Sequence, residues 1–248
     1  MPPAKSPHSI LNTLSKNFLD LIFPIRCLGC QKLKDRYLCS TCFYKFDFNK
    51  DYHCLDCQQK TNYQHLCPIC QPKSTWHLQA CLSPYSYRHP LVQNMVEQFK
   101  YRFIKNLGEV MAQKMTDYLS FLANHGLVNL QASALTSIPL HSDRLRWRGF
   151  NQSHLLAQTI ADQTGLPCRE ILTRVKNTPP QAQIATAHDR KENLKSAFMI
   201  KSDSTPIPQS IILIDDVATT GATLNEAARV LKGQGVKKVI ALTFAVGK

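Results

Sequence analysis

From about residue 76 onward, apolar residues along the chain follow one of two spacings. Residues 80–87 alternate apolar and polar side chains, as a half-buried strand does, whereas residues 107–126 repeat apolar side chains every three or four positions, as an amphipathic helix does. Further strands are predicted at 134–138, 211–215 and 239–246, and further helices at 153–165 and 223–235. This alternation predicts an α/β fold, in which a mostly parallel sheet carries helices on both faces and binds ligands beyond the carboxyl ends of its strands.

The N-terminal segment, residues 1–24, carries a shorter helical pattern. Apolar residues recur at helical spacing over residues 9–25, but Lys16 and Asp20 interrupt every long apolar run. A secretory signal or a membrane span needs a longer uninterrupted stretch. We therefore predict a short amphipathic helix that packs on the body of the protein, with a membrane-surface anchor as the alternative. For the whole chain we predict a cytoplasmic protein with no membrane span.

Eight of the ten cysteines fall in four pairs, with two residues between the members of each pair. They are Cys27, Cys30, Cys39, Cys42, Cys54, Cys57, Cys67 and Cys70. Such a turn brings two thiolates to one ion, and two turns complete a tetrahedral four-cysteine zinc site. A disulfide scaffold would need an oxidising compartment, and iron–sulfur ligation suits these paired turns less well than zinc does. We predict a double zinc ribbon at residues 25–75 with two structural zinc ions, and we favour sequential pairing of the cysteines over a cross-braced arrangement.

The segment "IILIDDVATTGAT" (residues 211–223) joins a buried strand to two adjacent acids and a run of small and hydroxyl residues. Ala218 and Gly221 let the backbone approach a ligand, and successive N–H groups at the start of a helix bind anions. Threonine hydroxyl groups add donors for phosphate oxygens at Thr219, Thr220 and Thr223. Because Asp215 and Asp216 would repel a bare phosphate, their targets are sugar hydroxyls or a metal ion. The segment therefore predicts a site for a sugar phosphate.

The same segment resembles the 5-phosphoribosyl-1-pyrophosphate (PRPP) loop of type I phosphoribosyltransferases. The resemblance implies that Asp215 and Asp216 hold the ribose 2- and 3-hydroxyls, and that magnesium accompanies PRPP. It assigns the 5-phosphate to the loop formed by Ala218, Thr219, Thr220, Gly221, Ala222 and Thr223. Purine-salvage members of that class carry an acidic general base where this chain has Thr219, so purine chemistry is not expected here.

Further segments resemble, in their order along the chain, the ComF family of competence-associated proteins. They are "FPIRCLGC", "FKYRFIKNLGEVMA", "SIPLHSDRLRWRGFNQSHLLA", "RVKNTPPQAQ" and "HDRKENLKSAF". The resemblance implies a type I phosphoribosyltransferase-like domain at residues 76–248, preceded by a small zinc-ribbon domain. It also implies a role in DNA uptake and natural transformation, with single-stranded DNA and other DNA-uptake proteins as partners.

Candidates for binding pyrophosphate or closing over the ligand lie in two segments of this resemblance. The motif "RGFNQ" provides Arg148, Asn151 and Gln152, which follow the strand predicted to end at residue 138. A polar segment that begins with two prolines provides Arg190 and Asn193. We interpret this second segment as a mobile lid that excludes water from the reactive sugar, with an ordinary exposed loop as the alternative.

The formal net charge of +13 favours anionic partners. Two stretches, "FKYRFIK" and "RLRWRGF", interleave cations with aromatic rings, the pattern with which many proteins grip single-stranded nucleic acid. The candidate DNA contacts are Lys100, Arg102, Lys105, Arg144 and Arg146. The alternative is that Arg148 meets pyrophosphate and the aromatic rings belong to the core.

Two functions therefore remain open at the level of sequence. One is an active phosphoribosyltransferase that displaces pyrophosphate from PRPP with a nitrogen nucleophile, although no residue stands out as its general base. The other is a module that binds PRPP or a nucleotide and supports the handling of single-stranded DNA. Fold alone does not decide between them.

Overall fold

The computed structural model describes residues 25–48, 52–54, 57, 59–61, 66–70, 75–102, 104–178, 194–203 and 206–247. The predicted N-terminal helix and the lid candidates Arg190 and Asn193 lie outside these residues. The chain divides into two compact units, Met1–Asp47 and Phe48–Lys248. The second cysteine set thus groups with the sheet-containing unit, whereas the sequence analysis grouped it with the first set in residues 25–75.

In the N-terminal unit, the first cysteine pair lies in a turn closed by an antiparallel bridge between Arg26 and Leu33. The second pair lies at the start of helix α1 (Ser40–Lys45), where Cys39 is the N-cap residue. The second unit begins with a short antiparallel strand pair, β1 (Tyr52–His53) and β2 (Lys60–Thr61), next to the second cysteine set.

The sheet of the second unit contains β3 (Ala80–Leu82), β4 (Tyr85–Ser86), β5 (Ser133–Ser137), β8 (Ser210–Ala218) and β9 (Lys238–Val246). The strand order is β3-β9-β8-β5, β4 also pairs with β9, and every pairing in this sheet is parallel. A separate antiparallel pair, β6 (Leu172–Arg174) and β7 (Phe198–Ile200), lies outside it. The predicted parallel α/β fold is therefore confirmed.

The helices of this unit are α2 (Pro90–Tyr101), α3 (Asn106–Asn124), α4 (Ser142–Arg148), α5 (Gln152–Thr164) and α6 (Ala222–Lys232). Helix α6 packs on the face of the sheet that carries Ile211 and Leu213. Ile212 and Ile214 are equally buried. Because successive strand side chains point to opposite faces, the sheet is covered on both sides.

Strand β8 is longer than its apolar pattern predicts. The predicted strand ends at the two acids, but the ladder with β9 continues past them to the pairs Val217–Ala245 and Ala218–Val246. The prediction of a strand end at Asp215 and Asp216 is therefore wrong. Both acids are held by the sheet rather than by a loop, which fixes their backbone before any ligand arrives.

Candidate functional site

The first cysteine set converges on one point in the N-terminal unit. The sulfur atoms of Cys27, Cys30, Cys39 and Cys42 all lie within 4.8 Å of one another. The Cys30 and Cys39 sulfurs are 4.0 Å apart. Zinc–sulfur bonds of about 2.3 Å place tetrahedral thiolates about 3.8 Å apart, so the set fits a zinc ion. The backbone N–H of Cys39 donates to the buried sulfur of Cys27 at 3.3 Å, as expected for a thiolate ligand.

The second set, Cys54, Cys57, Cys67 and Cys70, repeats this arrangement in the second unit. The Cys57 and Cys67 sulfurs are 3.7 Å apart, and the Cys67 N–H donates to Cys54 at 3.3 Å. Each set consists of four cysteines that are consecutive among the eight, so the predicted sequential pairing is confirmed. Four thiolates around one ion leave no open position, which is the pattern of a structural zinc site.

A cavity of about 280 Å³ lies at the carboxyl end of β8. It is lined by the two acids of β8, by the loop that leads into α6, by α4 and the start of α5, and by the end of α2. All eight residues predicted from the PRPP loop line it: Asp215, Asp216, Ala218, Thr219, Thr220, Gly221, Ala222 and Thr223. The structure therefore brings the whole predicted loop to one cavity.

Asp215 is held by two donors. The Ser153 hydroxyl donates to its Oδ1 at 2.7 Å, and the Asp216 N–H donates to the same oxygen at 2.9 Å. Burial and the neighbouring carboxylate of Asp216 nevertheless raise the pKa of Asp215 to about 6, against the opposing effect of Ser153 and Lys100. Oδ2 of Asp215 has no bond among those described, so a hydroxyl of a ligand has an acceptor there.

Asp216 is paired with a cation from another element. The Lys100 ammonium, near the end of α2, lies 2.9 Å from Oδ1 of Asp216, and the Asp216 side chain is almost fully buried. Burial opposes the charge on Lys100, but Asp216 and Asp215 outweigh it and raise the pKa of this lysine. Lys100 was a candidate DNA contact in the sequence analysis, and the structure places it inside the cavity with the acids.

The loop before α6 has the backbone form of an anion site. Gly221 has a φ of 72° and is the N-cap residue of α6, with no side-chain cap bond. The backbone N–H of Ala222 donates to the Thr220 hydroxyl at 3.4 Å, and the Gly247 N–H fixes the Ala218 carbonyl at 2.7 Å. Residues 219–223 at the start of α6 line the cavity, and the unpaired backbone N–H groups of a helix start suit a phosphate.

An arginine cluster, formed by Arg144, Arg148 and Arg174, lines the same cavity. Burial, reinforced by the neighbouring Arg144, lowers the pKa of Arg174 to about 10. Burial and Arg148 likewise lower the pKa of Arg144. The Nε atoms of Arg148 and Arg174 and the Nε2 atom of Gln152 are buried without a hydrogen-bond partner among the described residues. Guanidinium groups that lie close together and have N–H donors without a partner are suited to binding a polyanion.

The other predicted residues are divided between this site and the surface. Gln152 lines the cavity, and its Oε1 accepts from Arg148 at 3.2 Å. Asn151 does not line it, because its side chain caps α5 through the Ser153 N–H at 3.1 Å and donates to the Ile138 carbonyl at 3.0 Å. Arg102, Lys105 and Arg146 are exposed, and Arg146 pairs with Asp143.

Arg174, Ser153 and Tyr87 line the cavity but were not predicted. Ser153 follows the motif "RGFNQ" directly, so its position at the start of a predicted helix was a usable signal. Arg174 is the first residue of the segment "RVKNTPPQAQ", which was a usable signal, although β6, the strand that it ends, is too short to give a periodic pattern. Nothing in the local sequence marks Tyr87 as a cavity residue.

Two stretches of the chain match models of known protein families. Residues 18–71 match a double zinc ribbon domain, and residues 151–248 match a phosphoribosyl transferase domain. With the parallel sheet and the two four-cysteine sites, these matches define a class of protein in which a double zinc ribbon is joined to a phosphoribosyltransferase domain.

Curated relatives narrow this class. The chain is 28% identical over 225 residues to Competence protein F of Haemophilus influenzae, which covers 88% of this chain and 95% of the relative. It is 30% identical over 209 residues to the DNA utilization protein YhgH of Escherichia coli O6:H1, and this match covers 82% of this chain and 87% of the relative. It is also 30% identical over 212 residues to Competence protein ComFC of Streptococcus pneumoniae, and this match covers 83% of this chain and 86% of the relative. The chain therefore belongs to the ComF family, as its motifs predicted.

Within the described residues, every helix is too short or too polar to traverse a lipid bilayer.

Proposed function

We propose that this protein binds PRPP in the cavity at the end of β8. The observation that carries the proposal is the lining of one cavity by paired carboxylates, by the loop before α6 and by the arginine cluster. PRPP has a complementary layout, since its ribose hydroxyls lie between a 5-phosphate and a 1-pyrophosphate. The four cations of the lining, Lys100 and the three arginines, outnumber its two carboxylates, which favours a polyanion over a neutral sugar.

In the proposed complex, the ribose hydroxyls donate to Asp215 and Asp216, and the backbone N–H groups of residues 219–223 hold the 5-phosphate. The arginine cluster binds the pyrophosphate through charge-assisted hydrogen bonds. Magnesium enters with PRPP, because pyrophosphate and carboxylate oxygens are the hard ligands that this ion prefers.

Calorimetric titration with PRPP and Mg²⁺ tests this proposal. Asp215→Asn should weaken PRPP binding by about 10-fold or more, because a carboxylate accepts hydroxyl hydrogen bonds more strongly than an amide does. Asp162→Asn is the matched control, since this acid lies on α5 outside the cavity lining and accepts a hydrogen bond from Nε2 of Gln158 at 3.1 Å. Wild-type protein that does not bind PRPP, or equal affinity in Asp215→Asn, would contradict the proposal.

Binding without rapid turnover is favoured over an active transferase. Among the described residues that line the cavity, the ionisable groups are four cations, two tyrosines and the two acids. Asp216 is paired with Lys100, and Asp215 is assigned to the sugar, so neither is available to deprotonate an acceptor. Pyrophosphate release from PRPP, measured with a panel of nitrogenous bases and compared with Asp215→Asn, should stay at background. Pyrophosphate release by the wild-type protein but not by Asp215→Asn would instead support the active transferase.

We further propose that the protein handles single-stranded DNA in the cytoplasm. Relatives are named as competence and DNA utilization proteins. Eight thiolates that must stay reduced to bind zinc are suited to a reducing compartment. An association with other DNA-uptake proteins belongs to the same proposal.

The surface that supports DNA binding is an aromatic–basic patch, defined as Tyr101, Arg102, Lys105, Arg146 and Trp147. Tyr101 is 58% exposed and Trp147 is 64% exposed, so both rings are accessible to a partner. The Arg148 guanidinium lies 5.7 Å from the Tyr101 ring and 5.8 Å from the Trp147 ring, so the two rings flank one cation. Rings that stack on bases beside cations that meet phosphates form a platform for a single strand.

Fluorescence anisotropy with a labelled oligothymidine tests this surface. Replacing Tyr101 and Trp147 with Ala should weaken binding by about 1–3 kcal/mol for each stacked base that is lost. Replacing Arg102 and Arg146 with Ala should also reduce the dependence of affinity on salt. Lys232→Ala with Lys237→Ala removes the same charge near the end of α6, where Lys232 is half-buried and Lys237 is exposed, and serves as the control. An equal loss of DNA affinity in the two charge variants would show non-specific electrostatic attraction and would contradict DNA binding at the aromatic–basic patch.

A further inference from the structure

We infer that Trp76 is a positioning residue that couples zinc binding at the second cysteine site to ligand binding at the loop before α6. The inference rests on the proposed function, because it takes this loop as the holder of the 5-phosphate. Trp76, the second cysteine set and the loop all belong to the same compact unit, so their contacts are made within one body.

Trp76 contacts both structures that it is inferred to connect. It packs against the small cluster formed by Cys54, Leu66 and Cys67, next to Cys70. It also packs against the larger core that contains Leu224 of α6. Trp76 therefore packs against a cluster that contains two thiolate ligands of the second site, and against a core that includes Leu224 in the first turn of α6.

The indole ring lies directly against the loop. A Cβ atom built on Gly221 would lie 2.7 Å from Cη2 and 3.0 Å from Cζ3 of Trp76, closer than real Cβ contacts come. The space beside Gly221 is thus filled by the ring. Because Gly221 is the N-cap residue of α6 and has a φ of 72°, the ring packs against the backbone that begins this helix at the edge of the cavity.

Two hydrogen bonds fix the backbone on either side of Trp76 to α6. The His77 N–H donates to Oδ1 of Asn225 at 2.6 Å, and Nδ2 of Asn225 donates to the Thr75 carbonyl at 3.4 Å. The ring and the helix start are therefore held together at three points. Four-cysteine zinc regions have little core of their own and become ordered when the metal binds. Zinc at the second site therefore orders the surface on which Trp76 rests.

This connection has a thermodynamic consequence that can be measured in both directions. If zinc at the second site favours the ligand-binding form of the loop, the ligand must raise the affinity of that site for zinc by the same factor. The first cysteine site lies in the other compact unit, so it provides an internal control.

The first experiment measures the affinity of ribose 5-phosphate and of PRPP for zinc-loaded full-length variants. Trp76→Ala should weaken both ligands by about 10-fold, the size of a typical coupling between sites, whereas Trp76→Phe keeps an aromatic ring and should restore most of the affinity. Val236→Ala truncates a side chain of the same core 15 positions beyond Gly221, and it should leave both affinities unchanged. Circular dichroism and zinc content confirm that each variant is folded.

The second experiment measures zinc affinity by equilibrium competition with a chromogenic chelator. Saturating ribose 5-phosphate should raise the affinity for one of the two zinc ions by about 10-fold in the wild-type protein and leave the other unchanged. In Trp76→Ala this selective effect should be lost. An effect on both ions, an effect on neither, or a wild-type response in Trp76→Ala would overturn the inference.

The two proposals fail in distinguishable ways. If the wild-type protein binds neither ribose 5-phosphate nor PRPP, the proposed function is wrong and the inference falls with it. If the wild-type protein binds both ligands and Trp76→Ala binds them equally well, the inference alone is wrong.

Discussion

At the scale of single residues, Asp215 and Asp216 meet opposite electrostatic conditions although they are neighbours. Asp216 lies 2.9 Å from the Lys100 ammonium and is compensated by it. Asp215 has neutral hydrogen-bond donors, and its burial beside Asp216 raises its pKa to about 6. The ligand-free protein therefore carries one carboxylate whose charge is unfavourable, and a ligand hydroxyl would relieve it.

We expect Asp215→Asn to stabilise the ligand-free protein. In the wild-type protein, the pKa of Asp215 is raised from 3.8 to about 6 by folding. Between these pH values the folded state therefore binds more protons than the unfolded state. Stability therefore falls as the pH rises through this window, by a total of about 3 kcal/mol from a shift of about two units. Asparagine removes this cost, so urea unfolding should show higher stability at pH 7 and a flatter profile between pH 4 and 6. Lower stability of Asp215→Asn at pH 7 would contradict this account.

The neighbouring variant Asp216→Asn should behave in the opposite way. It leaves the Lys100 ammonium in the cavity without its carboxylate, and the loss of one partner of a buried ion pair is destabilising. We expect a loss of about 2 kcal/mol at pH 7 in the same unfolding measurement. Equal effects of the two substitutions would show that the acids are equivalent, against the contacts described.

At the scale of elements, the unit formed by β8, the loop and α6 fixes the site. Its loop depends on Gly221, where both the φ of 72° and the nearby Trp76 ring exclude a side chain. Gly165 at the end of α5 has the same φ of 72° but no atom within 4 Å of a built Cβ. Comparing the same substitution at these two glycines therefore distinguishes the effect of backbone strain from the effect of crowding by Trp76.

Gly221→Ala should destabilise the protein more than Gly165→Ala does. Both substitutions add a left-handed backbone cost of about 1 kcal/mol, and only Gly221→Ala also displaces the Trp76 ring. We expect weaker binding of ribose 5-phosphate in Gly221→Ala alone. Thermal unfolding and calorimetry of the two variants provide the comparison, and matching losses in both would exclude a role for crowding.

Much of this unit was predictable from the sequence, because its signals are local. The apolar run 211–214, the acids and the small residues after them predicted the strand, the loop and the helix start in the correct order. The continuation of β8 through the acids was not predictable, since it depends on pairing with β9. Arg174 and the inward position of Lys100 were missed for a related reason: each depends on contacts between elements far apart in the chain.

At the scale of the whole molecule, zinc binding is divided between two compact units. Each unit contains one complete four-cysteine set, so neither site needs a ligand from the other unit. The two sites should therefore lose zinc independently when their ligands are removed.

Paired substitutions test this division against the cross-braced alternative. Cys30→Ser with Cys42→Ser damages one site in the sequential arrangement, and the purified protein should retain about one zinc ion. Cys30→Ser with Cys57→Ser damages both sites, and the zinc content should fall towards zero under mild chelation. In a cross-braced arrangement, the first cysteine pairs of the two sets would share one ion. Cys30→Ser with Cys57→Ser would then leave about one zinc ion, and Cys30→Ser with Cys42→Ser would leave almost none. Metal analysis by mass spectrometry distinguishes the two.

The ion pair between Lys100 and Asp216 also bears on ion selectivity. The ammonium acts as a built-in counter-ion, so a free divalent cation that entered the cavity would have to displace it for little electrostatic gain. Magnesium should therefore enter as a complex with pyrophosphate, whose charge the arginines attract, and not as the free ion. Calorimetry should detect no binding of Mg²⁺ alone to the wild-type protein, whereas Lys100→Met should create a carboxylate pair that binds the free ion. On the proposed function, the same ion pair makes binding of metal in this cavity conditional on binding of the sugar phosphate.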